Sequence, residues 1–298
     1  MKDWKKIAKD IFPEEYEKFK KISGRNPDVK FSTIDKDVLR RDLTFNALFF
    51  DLDKQEIIDL VGGIKDIENR ITRFVGDPLL RIEEDPLRIL RLLRFAVRYG
   101  FEIEAKSHAA IAFNVDKLSI ITKERIWEEI KKAFKQCKDF KRYMRLLVEY
   151  GIAFMIFHDL DKMNCIISEC STLELFFANL FKTNPTEGLL DIMKFEFKME
   201  HDFSRKVVFF IDLLNLSAEN SLEVFKKREL CKVSTDELLE WFTIAGLRKS
   251  AVHRAFLYFK PTIKATDLMA KGFKNKALGF EIKRLEMQNF NKLIDATN

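Results

Sequence analysis

The chain has 298 residues, 47% of them hydrophobic and 34% charged, with a formal net charge of +6 and a pI near 8.9. This composition excludes a disordered chain. No apolar run approaches the ~18–20 residues of a membrane span, and Met1-Lys2-Asp3-Trp4 does not open a signal peptide, so a cytoplasmic protein without membrane contact is expected. The cationic excess is compatible with a polyanionic partner, because Lys and Arg near phosphates release counterions.

In chain order, the first hundred residues differ from the rest. They hold five of the ten glycines and four of the six prolines. Thr44 to Phe50 and Glu56 to Leu60 predict a β-hairpin around Asp51-Leu52-Asp53-Lys54-Gln55, closed by Gly62-Gly63. Asp85 followed by Pro86 predicts a helix start, with the carboxylate as cap and proline at the first helical position. On that helix Arg88, Arg91, Arg94 and Arg98 share one side, interrupted by Phe95, while Ile89, Leu90, Leu93, Ala96 and Val97 take the other. Beyond residue 100, backbone punctuation is sparse and apolar residues recur at three- and four-residue spacing, as in Arg125–Ile130 and Glu237–Phe242. A helical assembly is expected there. Cys137, Cys165, Cys170 and Cys231 form no C-x-x-C pair, which predicts buried thiols in a reducing cytosol instead of a zinc site or disulfide framework.

Three blocks can carry chemistry. In Arg40-Arg41-Asp42-Leu43-Thr44-Phe45-Asn46, arginine forks suit phosphate oxygens and a carboxylate can accept from ribose hydroxyls. A solvated charge cluster before a strand is the alternative. In Glu84-Asp85-Pro86-Leu87-Arg88, Asp85 and Arg88 stand three apart, so both can point the same way. An acceptor beside a planar donor fork matches the amino donor and ring-nitrogen acceptor shared by cytosine and adenine. Guanine and uracil would turn a carbonyl toward the carboxylate and leave polar groups unpaired. An ordinary i,i+3 ion pair is the simpler reading. The arginine stripe, facing no regular acidic partner, suits a triphosphate or an RNA backbone, or else a solvated face. The third block, Lys264-Ala265-Thr266-Asp267-Leu268-Met269 followed by Gly272, Asn275-Lys276 and Gly279–Ile282, predicts a capped helix, a glycine break and a second helix.

Three D-x-D strings occur, at Asp35/Asp37, Asp51/Asp53 and Asp159/Asp161, and His158-Asp159-Leu160-Asp161-Lys162 is similar to the core of HD phosphohydrolases. That hydrolase needs further histidines in register, and only His108, His201 and His253 exist. No D-x-D string is expected to hold metal.

Taken in this order, the blocks resemble the class II tRNA nucleotidyltransferase/poly(A) polymerase family. Arg40 to Ala47 is similar to its ribose motif, Gly62-Gly63 through Asp66 to its flexible-loop motif, and Glu84 to Arg88 to its amino-acid template. Gly24 to Phe31 resembles the segment before the ribose motif, a weak match surrounds Glu149 to Leu160, and Lys264 to Ile282 resembles the tail that holds the tRNA elbow. Asn275-Lys276-Ala277 stands there in place of Pro-Gly-Pro. The resemblance implies an α+β, mostly α fold: a truncated head with a β-hairpin over 1–82, a helical neck with the template over 83–150, and a helical body and tail over 151–298. It implies that Arg40, Arg41, Asp42, Asn46, Glu84, Asp85, Arg88, Arg91 and Arg94 serve the nucleotide, with Asp42 on the ribose 2′-OH. Arg98, Lys271, Lys274 and Lys276 are the expected RNA contacts. The implied activity is addition of C and/or A to a tRNA 3′ end from CTP and ATP. The family's G-G-x-V-R-D loop and D-x-D pair are not found in residues 1–21, so Mg²⁺ is expected to be held mainly by residues outside this chain, on a separate polypeptide of a split enzyme. A catalytically inactive RNA- or nucleotide-binding protein derived from the family is the alternative.

Overall fold

The structure, a computed structural model, describes residues 33–157 and 169–297. Gly24 to Phe31 and the His158–Lys162 string lie outside them. Among the described residues the fold is mostly helical, with two small two-stranded sheets, as the α+β reading expects. No helix among the described residues is long and apolar enough to cross a membrane.

The first section is built around one loop. Helix α1 (Ile34–Val38) leads into it and a 3-10 turn over Thr44–Asn46 follows. The hairpin is shorter than its apolar run suggests: β1 (Phe49–Asp51) pairs antiparallel with β2 (Glu56–Ile58), Phe49 opposite Ile58. Thr44 to Asn46 leave the strand because Thr44 turns its hydroxyl inward to Asp66 Oδ2 at 2.7 Å. Asp51 closes the hairpin turn by accepting the Asp53 and Lys54 N–H groups.

Behind the loop lies α2 (Gly63–Glu68), whose first N–H groups are gathered by one carboxylate. Asp59 accepts from Val61, Gly62, Gly63 and Ile64. Burial alone would raise its pKa, but these four donors outweigh burial and hold it below the ordinary value. Gly63 sits so close to the 3-10 turn that an added Cβ would fall 2.4 Å from the Thr44 carbonyl oxygen. Asp66, buried, clasps Thr44 and also Arg73 Nη2 at 2.9 Å. The Gly-Gly…Asp string therefore braces the arginine-bearing loop from the inside.

Short strands β3 (Ile71–Thr72) and β4 (Glu102–Ile103) pair in parallel, and Leu43 bridges Phe74. Helix α3 (Pro78–Glu84) starts with Asp77 accepting the Leu79 N–H and proline at its first position. The next helix begins later than the Asp85-Pro86 pair suggests. Asp85 ends α3, Pro86 and Leu87 form a turn, and α4 spans Arg88–Tyr99. The expected Asp85 cap is not formed: Leu87 holds the N-cap position without a side-chain cap, and Asp85 Oδ1 accepts the Leu87 N–H within the turn. Gly100, at φ 68°, terminates α4 in the left-handed conformation that lets the Phe101 N–H reach back to Ala96.

Helices α5 (Ala105–Asn114), α6 (Lys123–Gln136), α7 (Phe140–Glu149) and α8 (Ile152–Ile156) follow, α6 and α7 packing on α4. The remainder comprises α9 (Leu173–Phe181), α10 (Leu189–Asp191) with a π turn after it, α11 (His201–Asp212), α12 (Ser221–Leu230), α13 (Thr235–Ile244), α14 (Ala251–Tyr258), α15 (Ala265–Ala270) and α16 (Asn275–Thr297). One apolar cluster runs from Leu43 to Phe290, with rings such as Trp127, Phe157, Phe177, Phe181 and Phe197 meeting mostly edge to face. Cys137 is buried, while Cys170 and Cys231 are half-buried; burial pushes the Cys137 thiol up to about 11.

Substituting Gly63 by alanine forces either α2 or the Thr44 turn to move. We expect Gly63→Ala to lower stability by about 1–3 kcal/mol, read from denaturant midpoints. Gly62→Ala, strained at φ 78° but facing open space, should cost about 1–2 kcal/mol.

Candidate functional site

Seven of the nominated residues meet on one cavity of about 520 Å³: Arg40, Arg41, Asp42 and Asn46 from the loop, and Asp85, Arg88 and Arg91 from the α3–α4 corner. Phe95 completes the lining. Asp42 is buried at its base. Its Oδ1 accepts from the Leu43 N–H at 2.9 Å and Asn46 Nδ2 at 3.3 Å, and its Oδ2 takes a two-pronged contact from Arg91, Nε at 2.8 Å and Nη2 at 2.6 Å. Arg40 and Arg41, both exposed, share Asp37 at 3.0 and 2.8 Å. Their forks hold Asp37 below the ordinary carboxylate range, the Arg41 hydrogen bond contributing most.

Arg88 stitches the corner to the loop. It donates to the Arg81 carbonyl at 3.0 Å, to Glu84 Oε2 at 2.7 Å and to the Arg40 carbonyl at 3.2 Å. Asp85 and Arg88 line the same cavity but each pairs elsewhere: Asp85 Oδ2 takes Arg125 Nη2 of α6 at 2.9 Å. Glu84 does not line the cavity and acts on it only through Arg88.

The arginine stripe does not face an acid-free side. Arg94 turns inward and is 3% exposed, its Nε 2.9 Å from Glu129 Oε2 and its Nη1 donating to Gln136. Helical spacing from Arg91 put Arg94 on the stripe, but α6 packs there and carries Glu129 into its path. Arg98 is exposed, lies over the Tyr99 ring and donates to Gln136. Lys271, Lys274 and Lys276 are exposed around the α15–α16 turn. The predicted cap there is not formed by a side chain: Lys264 holds the N-cap position and Thr266 donates to Asp267.

Sequence reasoning missed Arg125 and Glu129. A signal for Glu129 existed. It falls in register with Ile126, Ile130 and Ala133 on the buried face of α6, and a carboxylate there requires a buried cation. Burial raises its pKa, but a hydrogen bond from Lys132 and the charge of Arg94 outweigh that and hold it below the ordinary 4.5.

Known proteins resemble this chain in sequence and in fold. Residues 11–73 match the Poly A polymerase head domain, and residues 100–163 match a segment described as "probable RNA and SrmB- binding site of polymerase A". The CCA-adding enzyme of Lactobacillus helveticus is 46% identical over 110 residues, 36% of this chain and 27% of that enzyme. Over these segments the chain is similar to the poly(A) polymerase and CCA-adding enzyme family. The CCA-adding enzyme of Streptococcus suis is 32% identical over 215 residues, 68% of this chain and 51% of that protein. The chain thus spans between about a quarter and a half of the length of these curated relatives of the nucleotidyltransferase family. Among solved structures, the Bacillus stearothermophilus CCA-adding enzyme in complex with CTP shares the fold, with a TM-score of 0.64 at 19% identity over 89% of this chain and 71% of that one. The Thermotoga maritima CCA-adding enzyme complexed with tRNA superposes with a TM-score of 0.60 at 20% identity, over 89% and 73% of the two chains.

The Arg94–Glu129 contact gives a stability test. Arg94→Met takes from a buried carboxylate its only buried cationic partner among the described residues, leaving Lys132, and should cost about 3–5 kcal/mol, with the double variant Arg94→Met/Glu129→Met recovering most of it. Because the folded pKa of Glu129 is depressed, its contribution is complete above pH 4.5 and fades as pH falls through the lower folded value. Urea titrations between pH 7 and pH 3 should show the wild type losing this increment and Glu129→Gln lacking it throughout.

Proposed function

We propose that this chain selects CTP and ATP and grips tRNA for template-independent addition of C and/or A to a tRNA 3′ end. The observation that carries the reading is the convergence of two sequence-distant blocks, Arg40–Asn46 and Asp85–Arg91, on one cavity. Arg40 and Arg41 offer forks to triphosphate oxygens at its mouth. Asp42, oriented by Arg91, accepts from a ribose hydroxyl. Asp85 and Arg88 present an acceptor and a planar donor to the base edge, and must exchange Arg125 and Glu84 for the base when it enters. Phe95 gives the ring an apolar wall. In this reading 1–82 is the head, 83–150 the neck with its template and 151–298 the body and tail, the tail lysines meeting RNA phosphates. A reducing cytoplasmic setting suits the thiols of Cys137 and Cys231.

The family's Mg²⁺ does not fit the carboxylates described. Asp37 is engaged by Arg40 and Arg41, Asp51 by two backbone N–H groups, and Asp42 by Arg91; among the described residues no group of three or more His, Cys, Asp or Glu could hold a metal ion. The roles assigned above to the cavity residues are binding and orientation, and none of them passes through a metal. The Mg²⁺ ligands are assigned to residues outside those described, a separate polypeptide being one source of them.

Base choice is tested by calorimetry on the full chain. Arg88→Ala should narrow the preference for CTP and ATP over UTP and GTP by about 1–3 kcal/mol; unchanged relative affinities would refute the assignment. For the RNA, affinity should fall steeply with salt, and whole tRNA should bind more tightly than an acceptor minihelix. Equal affinity for the two RNAs would remove the tail from the reading.

A further inference from the structure

Arg91 is a partition. It lines the nucleotide cavity on one side and, on the other, a second cavity of about 470 Å³ whose lining includes Asp85, Leu87, Arg125, Glu128, Glu129 and Lys132. The Arg91 side chain is one-third exposed, and its guanidinium lies 5.9 Å from the Phe95 ring centroid. Yet Arg91 supplies both contacts to Asp42 Oδ2. What holds the far end is Glu129, whose Oε1 stands 3.9 Å from Arg91 Nη1. Glu129 is itself rigid: it is 1% exposed, with Oε2 fixed by Arg94 at 2.9 Å and Oε1 by Lys132 at 2.8 Å.

We propose that Glu129 is a positioning residue for ribose recognition, acting through Arg91 to aim the Asp42 carboxylate at the sugar 2′-hydroxyl. The assignment rests on the nucleotide reading of the cavity. Without the Glu129 charge, Arg91 is free to swing into the second cavity. Asp42 then loses the fork on Oδ2 while keeping its Leu43 and Asn46 contacts on Oδ1. The carboxylate turns, and the geometry that distinguishes a ribose from a deoxyribose goes with it. Asp85 and Arg88 have their own partners in Arg125, Glu84 and the Arg40 and Arg81 carbonyls. Asp85 lines the second cavity too, but its Oδ2 is already taken by Arg125, so the base-reading pair keeps its partners when the sugar-reading one is disturbed.

The test compares two ratios measured by calorimetry on the full chain: CTP against dCTP for the sugar, and CTP against UTP for the base. Wild type should favour CTP in both. Glu129→Gln should reduce the CTP/dCTP preference by about tenfold or more, the scale of a lost buried hydrogen bond, and leave the CTP/UTP preference standing. Lys132→Met provides a second route at a half-exposed position: it removes the clamp on Glu129 Oε1, so that the carboxylate no longer stands fixed behind Arg91, and should lower the same ratio without emptying the core. If Glu129→Gln fails to fold, as judged by circular dichroism, Lys132→Met decides. An unchanged CTP/dCTP ratio in the folded variant, or both ratios falling together, overturns the positioning role while leaving the nucleotide reading intact. A wild type that binds CTP and dCTP alike overturns the ribose role of Asp42 and this proposal with it.

Discussion

Two arginine–carboxylate pairs, one helical turn apart on α4, hold the site to the rest of the molecule. Arg91 reaches outward to Asp42 in the loop, and Arg94 reaches inward to Glu129 on α6. The two arginines point in different directions because α4 is enclosed on most of its circumference: Ile89, Leu90, Leu92, Leu93, Ala96 and Val97 are all buried. Neither pair is strong evidence for stability, since desolvation offsets much of a buried ion pair. What they contribute is geometry. Loop, corner and helix can meet on one cavity only if α4 keeps one rotation and one depth, and a charged residue in each direction penalises any other setting.

The loop itself depends on a second constraint, one of space. Gly63 allows α2 to approach the Thr44 carbonyl more closely than any side chain could, and Asp66 then ties Thr44 and Arg73 together. Asp59 gathers the start of α2. Thus a helix of six residues, too short to be stable alone, becomes the back wall of an arginine-rich loop. Conformational freedom is thereby removed from the cavity-lining residues of the loop, and such pre-ordering is a general source of affinity in binding sites.

Much of this was legible in the sequence, and the exceptions have causes. The hairpin and the helical remainder followed from local patterns, and the gathering of Arg40–Asn46 with Asp85–Arg91 from the family resemblance that the motif order carries. Thr44 to Asn46 read as strand because the apolar pattern cannot show that Asp66, buried behind the loop, will claim the Thr44 hydroxyl. Arg94 read as a ligand contact because helical spacing gives a face without saying what covers it. Asp85 and Arg88 read as neighbours on one helix, and the structure separates them across a turn while keeping both on the cavity. Each miss is a tertiary contact overriding a local rule.

The proposed function requires Arg40–Asn46 and Asp85–Arg91 to form a single nucleotide site that recognises the base. Amide hydrogen exchange on the full chain, with CTP or GTP added, tests it most directly. A single base-reading site requires CTP to protect both segments together and GTP to leave the Asp85–Arg91 corner as it was. Protection of only one segment by CTP, or equal protection of both by the two nucleotides, would contradict it.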